Sequence, residues 1–254
     1  MIEIAKRAAL EAGEIAVSFQ GKLHSIKRKG TADNFSTEAD IASEKKILEV
    51  LKSAFPDHNF LSEEAGREDN GSVYTWVIDP IDGTTMYASE LPFYGISIGL
   101  FKDNKPYLGV LNLPALEALY WAVLGEGAYK NDNKIKVSSQ KELSDSILAI
   151  DWEWMGDREK EAKDYILPFL DKVKYAPSFG SVGFALCLVA EGKMAGYFHW
   201  AYPWDFAAGA LIIEEAGGRV TDHTGKPLNW LAEDMRVLAT NGLIHDQIIS
   251  LINI

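Results

Sequence analysis

The chain has one cysteine, Cys187, in 254 residues. That excludes an internal disulfide framework, and a reducing cytoplasm is the expected location. Cys187 lies in the apolar run 184–190 with no basic neighbour, the setting of a buried structural thiol and not of a nucleophile. No apolar stretch reaches the ~18–20 residues needed to span a bilayer, and residues 1–7 lack the apolar run of a signal peptide, so no membrane partner is expected. Basic residues are few: 25 against 37 acids, a net charge of −12. A surface of that sign argues against polyanion binding, and no nucleic-acid partner is expected. A phosphate substrate stays open, because a bound metal ion inverts the local sign of a site. There is no fixed repeat and no low-complexity segment.

With 47% apolar residues the chain can bury a large core. Its length suits one domain over 1–254, built from two halves, about 1–144 and 145–254. Ile4, Ala8, Ala12, Ile15 and Phe19 recur at helical spacing, and Gly21 follows as a stop. A short strand is expected around Ile26. A second helix opens at Thr37, carries Ile41, Ile47, Leu48, Leu51 and Phe55 as its apolar stripe, and ends at Pro56. Strands are expected over 58–61, 93–101, 107–113 and 117–123, then a turn over 127–133. Beyond residue 145, strands over 146–151, 194–200, 219–221 and 237–240 alternate with helices over 157–172, 182–191, 204–216 and 242–252. The pattern is layered α/β or α+β, not a helical bundle.

The densest chemistry lies in Trp76-Val-Ile-Asp79-Pro80-Ile81-Asp82-Gly83-Thr84-Thr85. An apolar run reads as a buried strand that Pro80 should end. Asp, Pro and Gly are also ordinary turn residues. Asp79 and Asp82, three apart on a tight bend, can face one point, and two close carboxylates repel unless a proton or metal lies between them. Gly83-Thr84-Thr85 would open a helix whose free N–H groups can hold a phosphate. Three other acidic places have plain structural explanations. Thr37 with Asp40 resembles a capping box, Glu63-Glu64 could be a solvated pair, and Asp205 could cap the helix after it.

Asp79-Pro-Ile-Asp-Gly-Thr-Thr85 resembles the signature of the inositol monophosphatase family, Mg²⁺-dependent, lithium-sensitive phosphomonoesterases. Trp204-Asp205-Phe-Ala-Ala-Gly209 and Glu215-Ala-Gly-Gly218 resemble the family's second signature and its helix end. The resembling segments run in order from Lys29 to Asn241. Haloacid dehalogenase phosphatases, with Asp-x-Asp-Gly-Thr, do not fit, since two residues separate the aspartates here. An EF-hand does not fit either, for no twelve-residue calcium loop begins at Asp79.

The resemblance implies a layered αβαβα sandwich, usually a homodimer. It implies two or three Mg²⁺ ions. Glu63, Asp79 and the Ile81 carbonyl would hold the first, and Asp79, Asp82 and Asp205 would share the second. Two such ions about 4 Å apart clamp the attacking and leaving oxygens of an in-line displacement. Thr84 with Glu63 would activate a water, Asp40 would hold the Thr84 hydroxyl, and Thr37 and Lys29 would sit beside them. The N–H groups of Gly83 and Thr84 would take the phosphate. Asp82, Ala185, Phe198 and Asp205 fall at substrate positions.

The departures lie on the substrate side. Phe198 stands where family members acting on inositol phosphates usually have Glu, Gly180 replaces an Arg, and Met86 replaces a common Asn. The expected substrate is a small phosphorylated metabolite, inositol 1-phosphate first. Fructose 1,6-bisphosphate, histidinol phosphate and a 3′-phosphonucleotide are alternatives, the last disfavoured by Thr85 where such relatives tend to have Lys. A non-catalytic metal- or partner-binding relative is the alternative of another class.

Overall fold

The computed structural model describes residues 1–22, 26–28, 35–152, 158–230 and 235–252. Helix α1 (Ile2–Phe19) buries an alanine face, Ala5, Ala8, Ala9, Ala12 and Ala16, so its backbone comes close to its neighbours. Strands β1 (Ile26–Arg28) and β2 (Phe35–Thr37) form an antiparallel pair. Helix α2 (Glu38–Ala54) follows with Ala39, Ile47, Val50 and Leu51 inward. Ile41, expected in that stripe, is 45% exposed. The helix turns the neighbouring residues Asp40, Ser43 and Glu44 to the protein instead.

Next come β3 (Asn59–Ser62), β4 (Gly66–Glu68) and β5 (Tyr74–Asp82), then the five-residue helix α3 (Thr84–Ala88). A meander follows: β6 (Gly95–Lys102), β7 (Lys105–Leu113), β8 (Ala118–Val123), β9 (Gly127–Lys130) and β10 (Asn133–Lys134). The expected turn over 127–133 is thus mostly the strand β9, which pairs with β8. These strands make one sheet in the order β10-β9-β8-β7-β6-β5-β3-β4. Within this sheet, among the described residues, only the β3–β5 pair is parallel. Pro80 does not end β5. The ladder to β6 skips from Asp79↔Ser97 to Asp82↔Gly95, so the proline sits in a bulge where no ladder N–H is required.

In the second half β11 (Leu148–Ile150) is followed by α4 (Arg158–Glu161), a π-helical turn (Ala162–Ile166) and α5 (Leu167–Leu170), where one helix was expected. Then come α6 (Val182–Ala190), β12 (Gly196–Ala201), α7 (Pro203–Glu215), β13 (Arg219–Asp222), β14 (Met235–Thr240) and α8 (His245–Ile252). The second sheet runs β11-β12-β14-β13.

Three apolar clusters define the layers. One joins α1 and α2 to the large sheet, one packs α6 and α7 between the two sheets, and one seats α5 and α8 on the outer face of the small sheet. This is the αβαβα order that the family resemblance implies. Close approach of α7 depends on glycine. Gly99 and Gly109 are direct cross-strand partners. A Cβ on Gly109 would lie 2.4 Å from the Ala208 carbonyl oxygen, and one on Gly99 would lie 2.9 Å from the Ala207 Cβ. No helix among the described residues is long and apolar enough to cross a membrane.

Candidate active site

The site gathers where β3 and β5 end and where α2, α3, α6 and α7 begin. Because β3 and β5 run parallel with Ser62 opposite Ile78, Glu63 leaves its strand level with Asp79. The Glu63 N–H donates to the Ile78 carbonyl at 3.2 Å and holds that level. The β5 bulge then turns the chain so that Asp79 accepts from the Ile81 N–H at 3.0 Å. Gly83 has φ of +84°, and a Cβ there would meet the Phe93 carbonyl oxygen at 2.7 Å, so only glycine makes this turn into α3.

Asp82 is buried and faces the start of α6. It accepts from the N–H groups of Val182 (2.9 Å) and Gly183 (2.8 Å) and from the Ser181 hydroxyl. Asp205 is the third residue of α7 and accepts from the Tyr202 N–H at 2.7 Å, an arrangement that closes a capping box. Asp40 has the same place in α2: its Oδ2 takes the Thr37 N–H (2.8 Å) and hydroxyl (2.6 Å). Its Oδ1 lies 3.3 Å from the Thr84 hydroxyl, which is also 3.1 Å from the Ile81 carbonyl oxygen. The capping-box explanation is therefore correct for Asp40, whereas Asp205, expected as an N-cap, is the third residue of a helix whose N-cap is Tyr202; each acid still presents an oxygen to the site.

One carboxylate oxygen from each of Asp79, Asp82 and Asp205 lies within 4.8 Å of the others. Burial, above all, pushes Asp79 and Asp205 well above the usual carboxylate range. Glu63 and Asp82 repel Asp79 further, and Asp82 and Glu63 repel Asp205. Asp82 is raised to about 6 by burial, against the lowering effect of its Ser181, Gly183 and Val182 donors. Asp40 also rises to about 6 through burial, opposed by its Thr37 bonds. Among the described residues no lysine or arginine lines the cleft, whose volume is about 730 Å³. Converging buried oxygen donors without a side-chain cation fit a hard divalent ion. Glu63, Ile81 and Thr84 line the same cleft.

A model of the Inositol monophosphatase family matches residues 1–254. The chain belongs to the inositol monophosphatase family. It is 36% identical to "Fructose-1,6-bisphosphatase/inositol-1-monophosphatase" of Aquifex aeolicus, over 98% of this chain and 93% of that protein. It is 37% identical to "Inositol monophosphatase 2" of Solanum lycopersicum, over 99% and 97%. The solved inositol monophosphatase from Anabaena superposes with a TM-score of 0.87 at 35% identity, covering 99% of this chain and 94% of that one. Members of the family are phosphoric monoester hydrolases, and this chain is an enzyme of that class.

Two substrate positions carried over from the family fall elsewhere. Ala185 is fully buried in the core around α6 and does not line the cleft. Phe198 lies on β12 between Ile150 and Leu238 and packs on Tyr165 and Phe169, in the outer cluster of the small sheet. Strand alternation explains this: Tyr197 turns inward, so Phe198 turns outward. His199 and Trp200, nearer the strand end, line the cleft. Lys29 lies outside the described residues. The two other departures are one structural fact. A Cβ on Gly180 would come within 2.6 Å of Met86 Cε, so the missing side chain at 180 makes room for the methionine.

Two carboxylates were missed. Glu44 accepts from the N–H groups of Glu64 (3.1 Å) and Ala65 (3.0 Å) and from the Ser62 hydroxyl, fixing the turn that carries Glu63. Its signal was present: Glu44 stands four residues after Asp40, on the same helix face. Asp151 accepts from Ser178 and from the N–H groups of Phe179 (2.9 Å) and Gly180 (3.1 Å), and its other oxygen takes the Tyr197 hydroxyl at 2.8 Å. It anchors the loop that leads into the Asp82 clamp. No local pattern marks it, because its partners are 27 to 46 residues away.

Proposed function

We infer that the chain is a Mg²⁺-dependent phosphomonoesterase acting on a small phosphorylated metabolite. The observation that carries this is the convergence of Asp79, Asp82 and Asp205 within 4.8 Å in a cleft without a described cationic wall. Asp79, Asp82, Asp205, Glu63 and the Ile81 carbonyl would hold two or three ions. Bound Mg²⁺ neutralises charge developing on the phosphoryl oxygens and lowers the pKa of water. The chain itself supplies position. Thr84, held between Asp40 and the Ile81 carbonyl, orients a water toward phosphorus. The water oxygen bonds to phosphorus as the ester P–O bond breaks. One proton moves from the water toward the Thr84–Asp40 pair with Glu63 beside it, and the leaving oxygen takes up a proton as the free alcohol. The N–H groups of Gly83 and Thr84 steady the phosphate. No phosphorylated side chain is formed. Inositol 1-phosphate is the reference substrate, and a lithium-sensitive, cytoplasmic homodimer is the form proposed.

Phosphate release would be followed from inositol 1-phosphate, fructose 1,6-bisphosphate, histidinol phosphate and 3′-phosphoadenosine 5′-phosphate, with Mg²⁺ and with excess chelator. Release that stops in chelator and returns with Mg²⁺ is expected. Release that persists without divalent ions would overturn the metal assignment, and silence on every ester would overturn the hydrolase reading.

A further inference from the structure

The cleft above the carboxylates is walled by rings. Trp152 follows β11 and Trp200 lies on β12; these strands are parallel neighbours in register, so both tryptophans stand at the same end of the small sheet. Tyr202 and Trp204 continue this wall as a stacked pair, centroids 5.0 Å apart and planes 14° from parallel. Phe93 and Phe179, in edge contact at 5.6 Å, line the cleft as well. Trp152 and Tyr202 are 49% and 41% exposed. Core packing accounts for buried aromatics but not for two half-open rings at the mouth of a cleft.

Most polar groups nearby are already committed; among the described residues His199 Nδ1, buried without a partner, is the exception. Asp151 takes four donors, Ser178 is one of them, and the Ser181 hydroxyl donates to Asp82. A polyol entering here would give up water for few replacement hydrogen bonds, whereas a flat ring gives up little and gains stacking area. The volume of about 730 Å³ exceeds what a phosphate and a short alcohol fill.

We propose that this wall selects phosphate monoesters whose alcohol carries a flat aromatic or heteroaromatic ring, with Trp152 and Tyr202 as the specificity residues that stack on it. The proposal rests on the phosphomonoesterase reading and narrows its substrate class.

The test compares benzyl phosphate with cyclohexylmethyl phosphate, matched primary esters that differ in flatness, and with inositol 1-phosphate. Benzyl phosphate should show a kcat/KM about tenfold above the cyclohexylmethyl ester, mainly through KM, as expected for one or two ring contacts. Trp152→Ala and Tyr202→Ala, checked for an unchanged melting profile, should pull that ratio toward one, and Trp152→Phe should keep it. Equal turnover of the two matched esters, or a preference for inositol 1-phosphate, overturns the proposal. So does a ratio that survives both alanine variants. If no ester is hydrolysed, the hydrolase reading has failed by itself, and stacking is read from tryptophan fluorescence. Quenching by benzyl but not cyclohexylmethyl phosphate, lost in Trp152→Phe, supports the wall; no ring-specific quenching sinks it.

Discussion

The floor and the wall of the cleft are built on opposite plans. The floor is carboxylate, buried, and set at strand ends and first helical turns whose backbone fixes each side chain. The wall is aromatic, partly open, and set on loops and a strand end from both halves of the chain. A floor of this kind concentrates repulsion that a cation relieves; the wall concentrates apolar area that a ring covers. Chemistry and selectivity are thus separable here, and substitutions should separate them.

The largest effect is expected on the floor. Asp79→Asn should lower kcat by about 10²–10³-fold, the usual loss when one preorganised electrostatic group is removed, while wall variants act mainly on KM. A KM-only effect of Asp79→Asn would erase the distinction. The same variant has a second readout. A carboxylate whose folded pKa is raised contributes stability below its unfolded value and loses it as pH rises through the folded value. Asp79 is raised well above 3.8. Chelated Asp79→Asn should therefore melt higher than wild type at pH 7 and no higher at pH 4, with Mg²⁺ reversing the order at pH 7. Asp82→Asn is the poorer probe, since its amide would confront the Val182 or Gly183 N–H and weaken the α6 start as well.

Next in size is Phe198→Glu. Buried beside Leu238 and Phe169, a carboxylate there should cost about 3 kcal/mol or more in denaturant unfolding and bring no gain on inositol 1-phosphate. A stable variant with raised inositol phosphatase activity would put Phe198 back in the wall. The smallest effect is expected where wall meets floor. Gly180 has φ of +64°, and a Cβ there would run into Met86. Gly180→Ala should cost about 1–2 kcal/mol, and adding Met86→Ala should recover the contact part but not the backbone part. Additive losses in that cycle would mean the two positions are independent.

Much of the floor was legible because its residues are local. Asp79, Asp82 and Gly83 share one bulged strand end, and Asp40 and Asp205 each occupy the third position of a capped helix. Pro80 misled for a local reason as well: as a strand breaker it ignores that a bulge needs no ladder hydrogen bond. The wall was legible in kind but not in detail. The aromatic run at 197–200 pointed to rings, yet counting along the chain chose Phe198. A strand alternates its faces, so an error of one residue moves a side chain to the other side of the sheet.

The sequence by itself determined the mixed layered pattern and the close Asp79–Asp82 pair, since periodicity and short motifs act over a few residues, and the resemblance of its motifs supplied the family and the place of Asp205. Only the tertiary structure decided that Ser181, Val182 and Gly183 clamp Asp82 from about a hundred residues away. It alone decided that Glu44 and Asp151 brace the two loops, that Gly180 yields to Met86, and that Trp152 and Trp200 share a wall. Those relations depend on which elements the buried apolar faces bring together. That is a property of the whole packed chain and not of any stretch of it.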